Sequence, residues 1–135
     1  MRTTLMVVFA AVGLVLAAVP VWAHHAFAAE FDQNKPIKVQ GSVTKWELTN
    51  PHSWIYIDVK GADGKMATWM IEGASPNNLY RLGLTKESLP AGSVIMVEGY
   101  QAKDGSTRAV GRNITFSDGK KFFLGLTEAE GAPKQ

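Results

Sequence analysis

A chain of 135 residues is the size of one ordinary domain, and at 46% hydrophobic and 19% charged it can bury a core rather than stay disordered. Its formal charge of +2 comes from interspersed signs with no basic stripe, so no nucleic-acid partner is expected. With no cysteine, the sequence excludes disulfides, thiol redox chemistry and thiolate metal sites.

The chain opens as a secretory leader does. Arg2 gives a positive start, residues 5–19 are an almost unbroken apolar run, and Pro20 breaks it before Val21-Trp22-Ala23. Residues 1–23 therefore read as a bacterial Sec-type signal peptide cut after Ala23, which places the mature chain in the periplasm or outside the cell. The apolar run is shorter than the roughly 20 residues a membrane-spanning helix needs. No second such run follows, so the mature chain is expected to have no transmembrane segment. Losing Arg2 takes the 14 Lys and Arg to 13, against 12 Asp and Glu.

Residues 24–36 (HHAFAAEFDQNKP) read as an N-terminal arm without strand pattern, carrying Phe27 and Phe31 and closed by Pro36. The domain proper is expected over residues 37–126. Residues 37–48 alternate apolar and polar, the period of a half-buried strand. Gly41 sits mid-strand, and beyond it Trp46 and Leu48 fall on the opposite parity, so a bend or bulge is expected. Asn50-Pro51 is turn chemistry. Residues 53–60 form a second strand, with Ile55, Ile57 and Val59 on one face and Trp54, Tyr56 and Asp58 on the other. Gly61-Ala62-Asp63-Gly64 closes a hairpin to a third strand over residues 66–72.

Ser75 and Pro76 then open the single helical segment, with Leu79, Tyr80 and Leu82 as its apolar stripe and Gly83 as its stop. A short turn follows over residues 85–88. Strands are expected over residues 93–101 and 108–116, a short edge strand over residues 121–124, and a flexible tail over residues 127–135. Three strands, a helix and two more strands is the element order of an OB-like five-stranded Greek-key barrel, an all-β fold with its helix between strands three and four.

The runs HHAFAAEFD, VQGSVTKWELTNPHSWIYIDV, GASPNNLYRLGLTKESLPAGSVIMVEGYQAKDGS and RAVGRNITFSDGKKFFLG together resemble a family of small exported bacterial proteins of unknown function, family 6152. The likeness covers nearly the whole mature chain. It implies export and an OB-like fold, and it implies no activity. Paired histidines behind the leader and an Asn-Pro-His turn look like recurring features of the family; they correspond to His24, His25, Asn50, Pro51 and His52 here.

Cleavage after Ala23 would give the mature chain a free α-amine on His24. That amine and the His24 imidazole can chelate one metal ion, an arrangement that suits copper, and His52 can complete it as a second imidazole. The arm is long enough to fold back towards His52, at about 3.3 Å per extended residue. His25, as second residue, offers an alternative chelate. The opposing reading takes His24 and His25 as tolerated residues at a frayed terminus, with His52 capping a turn.

Trp54 and Tyr56 form an aromatic face of the kind on which OB-folds stack sugars or bases. The bland reading has Phe27 and Phe31 packing on them instead. There is no nucleophile elbow, no phosphate-binding glycine loop and no His-Glu-x-x-His. Glu47, Asp58, Glu72 and Glu98 read as carboxylates on a solvated face. The expectation is an exported, non-enzymatic binding module, with copper held by His24, His25 and His52. Oligosaccharide or small-ligand binding at Trp54 and Tyr56, or a protein-interaction domain without a ligand, stand as the alternatives.

Overall fold

The alternation of residues 53–60 becomes strand β2 (Ser53–Lys60), with Ser53, Ile55 and Ile57 buried and Trp54, Tyr56 and Asp58 half-buried between them. A turn at Gly61–Lys65, carrying Gly64 at a φ of 80°, returns the chain into β3 (Met66–Gly73). The computed structural model describes residues 29–125. The regular structure among them is β-sheet apart from the helical residues 29–30, the short helix Pro76–Arg81 and the 3-10 turn Lys86–Ser88.

The remaining strands are β1 (Phe31–Leu48), β4 (Val94–Ala102), β5 (Arg108–Phe116) and the short edge strand β6 (Lys121–Phe123). Antiparallel neighbours run β3-β2-β1-β4-β5-β6 across the sheet. A further pairing is parallel, matching Met70, Ile71 and Glu72 of β3 with Arg108, Ala109 and Val110 of β5. The pairings therefore return on themselves through β1, β2, β3, β5 and β4.

β1 is the strand that serves two partners. Its first part pairs with β4 as far as Ser42, and from Gly41 onward it pairs with β2. At Gly41 a Cβ would lie 2.5 Å from the Asp58 carbonyl oxygen, so only glycine lets the two strands approach this closely. The expected irregularity lies just downstream. Val43 pairs with Ile57 and Lys45 with Tyr56, leaving Thr44 as the extra residue of a bulge, which moves Trp46 to the parity that packs against the core.

β1 also begins at Phe31, so residues 31–36, expected as arm, are strand. The register against β4 slips between Phe31 and Pro36, which removes any alternation a sequence reading could detect. Pro36 is tolerated because β2 does not pair with β1 there, so the missing N–H leaves no ladder bond unmade.

Helix α1 (Pro76–Arg81) follows β3, with Ser75 as N-cap accepting from the Asn78 N–H. Gly83, at a φ of 86°, ends it: Gly83 N–H donates to Tyr80 O and Leu84 N–H to Leu79 O, the paired bonds of a Schellman stop. Leu79 is fully buried. Tyr80 and Leu82, expected in the same stripe, are exposed, because so short a helix can turn only one face to the core. Leu84, beyond the helix, is buried in their place.

The core is aliphatic, with Val43, Ile55, Ile57, Ile71, Ile95, Val97 and Ile114 from the strands under Leu79, Leu84, Leu89 and Leu124. Each such side chain contributes roughly 1.5–3 kcal/mol by leaving water. Among the described residues no helix is long and apolar enough to cross a membrane.

Candidate functional site

At the start of β2 the chain brings a histidine and a buried carboxylate together. His52 lies between the cis Asn50–Pro51 peptide and β2, and about a third of its side chain is exposed. Its Nδ1 contacts Oε1 of Glu72. Glu72 stands near the end of β3, opposite Trp54 of β2 and beside Val110 of β5, and is only 7% exposed. The β2–β3 register thus sets the pair, since it carries Glu72 opposite Trp54, two residues beyond His52 and on the same side of the chain.

Burial is the main influence on Glu72, pushing its carboxyl above the usual carboxylate range. The neighbouring charge of Glu30 adds to the rise, whereas His52 and Arg108 oppose it. Glu30 sits at this end because its carbonyl accepts from Lys103 N–H at 2.9 Å and its carboxylate from Arg108 Nη2 at 3.0 Å. The Arg108 guanidinium also lies over the Phe31 ring, 5.6 Å from its centre. Phe31 itself belongs to the core. Four charged or ionisable groups from four places in the chain therefore meet here: Glu30, His52, Glu72 and Arg108.

This geometry suits a ligating histidine. A carboxylate on Nδ1 holds that nitrogen as the protonated one and presents Nε2 as the lone pair, the arrangement by which outer carboxylates orient imidazole ligands. Among the described residues no group of three or more His, Asp or Glu side chains is placed to hold a metal ion. His52 would therefore need ligands from elsewhere in the chain. His24, His25 and Phe27 lie outside the described residues.

Trp54 and Tyr56 are both half-buried on the outer side of β2. Tyr56 is already engaged: its hydroxyl donates to Glu47 Oε2 at 3.1 Å, and Lys45, paired with Glu47, lies over its ring at 5.5 Å. Those contacts occupy the phenol's polar end and cover one of its faces. Trp54 sits between Glu47 and Glu72, its partners on the two adjoining strands.

Sequence reasoning passed over Glu30 and Arg108, and it misread Glu72, expected on a solvated face but buried where β3 meets β5. For Glu72 a signal was present. Counting back along the hairpin from its glycine turn pairs Trp54 with Glu72 and so sets the carboxylate beside His52. Glu30 and Arg108 meet through the β3–β5 pairing, which no local pattern announces.

A family model described as a family of unknown function matches residues 11–112. A search of the curated proteins returns no match.

Proposed function

We propose that this chain, which belongs to the family of unknown function DUF6152, is an exported binding module that holds a copper ion between its mature N-terminus and His52. The observation that carries the reading is the buried Glu72 carboxylate on His52 Nδ1. A histidine serving only as a turn residue has no need of a buried carboxylate, whose desolvation is costly. A histidine that must present Nε2 in a fixed direction does.

The remaining ligands are the α-amine and imidazole of His24, with His25 as a further donor, once the leader is removed after Ala23. Glu30 supports the return of the arm. It is held beside Arg108 and close enough to Glu72 to raise its pKa, and it follows His24 by six residues. A fully extended span of that length reaches about 20 Å. Copper bound there would supply a Lewis-acidic and redox-capable centre, while the chain's own residues hold it and set its orientation.

The fold we assign is OB-like. Support comes from the closed circuit of pairings through β1, β2, β3, β5 and β4, from the parallel β3–β5 contact, and from the single helix between β3 and β4.

The test uses the chain exported from its own gene with no added N-terminal tag. Mass spectrometry of the periplasmic product should give a chain beginning at His24, and a different first residue would end the proposal. Copper(II) titration should then show weaker binding for both His24→Ala and His52→Ala than for the unmodified chain. If His52→Ala binds as tightly as the parent, the ion is held by a terminal chelate alone and His52 has no part in it.

A further inference from the structure

Away from His52, a groove of about 520 Å³ opens where β1, β4 and β5 meet. Small-molecule sites commonly enclose about 300–1,000 Å³. Pro36, Ile37 and the Tyr100 ring give it apolar walls, and Lys38, Glu98, Arg112 and Asn113 supply its polar groups.

The groove owes its shape to a break in the β4–β5 ladder. Glu98 pairs with Asn113 and Gly99 with Gly111, so Arg112 is an extra residue on β5. Bulges of this kind re-aim a side chain out of the strand's alternation. The break is fixed from both sides. The Arg112 carbonyl accepts from Leu124 N–H at 2.8 Å and Gly125 N–H at 3.1 Å, and at Gly99 a Cβ would lie 1.9 Å from the Val110 carbonyl oxygen.

The groups that result are poised but unused. Among the described residues the Arg112 guanidinium has no ion pair and no side-chain hydrogen bond, and the same holds for the Tyr100 hydroxyl and the Asn113 carboxamide. All three residues are half-buried. Glu98 differs, being held by Lys38 at 3.2 Å and Lys121 at 3.6 Å. With Glu98 neutralised in this way, the balance over Lys38, Lys121 and Arg112 is positive.

We propose that this groove is a binding site for a small organic carboxylate with an apolar or aromatic body. The guanidinium fork of Arg112 matches a carboxylate in two parallel hydrogen bonds. The body of the ligand would lie against Tyr100, Ile37 and Pro36. Pro36, Ile37 and Tyr100 would leave the further oxygens of a phosphate without partners, so a carboxylate with an apolar body fits better than a phosphate. This site is independent of the metal reading, since none of its lining residues belongs to the His52 cluster.

The test is a titration of the full mature chain with sodium benzoate, followed by amide chemical shifts, with benzyl alcohol as the uncharged counterpart. Benzoate should give saturable shifts at Gly99, Tyr100, Arg112 and Asn113, whereas benzyl alcohol should not. Arg112→Gln should weaken benzoate about tenfold or more, as loss of a hydrogen bond to a charged group does. Arg112→Lys, which keeps the charge without the fork, should fall between. No saturable shift at these amides, equal binding of the alcohol, or an equal response to inorganic sulfate would each overturn the proposal. The comparison of benzoate with benzyl alcohol on the unmodified chain decides the matter even if Arg112→Gln fails to fold.

Discussion

Two glutamates on the outer side of this sheet have opposite surroundings. Glu72 is buried beside His52, and desolvation raises its pKa. Glu98 lies at the rim of the β1–β4–β5 groove, where a hydrogen bond from Lys38 and the charge of Lys121 lower its pKa. Position on a strand does not distinguish them. Both adjoin β5, and what differs is the place along it: Glu72 pairs with Val110 close to the segment at Glu30, whereas Glu98 pairs with Asn113 beside the Arg112 bulge. A buried carboxylate with one histidine partner can orient that partner; an open one with two lysine partners can only set local charge.

The largest expected effect concerns the backbone beneath the two regions. Gly99 lies under the groove, and its absent Cβ would meet a carbonyl of the adjoining strand at 1.9 Å. Gly73 lies beside Glu72, and there the nearest atom, at 2.7 Å, is the side-chain oxygen of Ser53. A backbone carbonyl cannot move without breaking the ladder, whereas a serine hydroxyl can rotate. Urea unfolding should show Gly99→Ala losing about 3 kcal/mol or more and Gly73→Ala roughly 1 kcal/mol. Equal losses would mean that the bulge is no more rigid than the β2–β3 ladder.

Next in size is the carboxylate itself. Glu72→Ala removes the group on His52 Nδ1 and should weaken copper(II) roughly 10- to 100-fold, the usual cost of losing an outer-shell partner. Glu98→Ala should leave copper binding unchanged. Calorimetric titration of both variants checks the contrast, and if Glu72→Ala binds as well as the parent, the carboxylate does not orient His52.

The all-β class is legible in this sequence because β2 alternates buried and half-buried residues from Ser53 to Asp58 and a glycine turn joins it to β3. So is the bulge in β1, from the parity change between Val43 and Trp46. The first residues of β1 are not, because the Phe31–Pro36 slip destroys the period on which such a reading depends. The helix stripe is misread at Tyr80 and Leu82 because helical spacing says nothing about where a helix stops; of the three stripe residues only Leu79 is buried, alongside Pro76. The second bulge is hidden in RAVGRNITF, where Arg112 and Asn113 look like ordinary neighbours and only the strand opposite reveals the extra residue. Local period is written in the chain, whereas proximity across strands depends on register. Both candidate sites lie in the second category.

The smallest effect concerns acid stability and belongs to Glu98. Its carboxyl titrates below the ordinary value of 4.5 in the folded chain, chiefly through the Lys38 hydrogen bond and then the charge of Lys121. A lowered folded pKa means that the unfolded chain takes up the proton first as pH falls. The stabilisation is therefore complete above the unfolded value and is lost as pH drops through the folded one. Thermal midpoints of Glu98→Gln and the parent should differ slightly at neutral pH and converge well below pH 4.5. All three groups reach solvent, so salt should shrink the neutral-pH difference. A gap that persisted in acid would show that Glu98 acts through packing in the groove rather than through its charge.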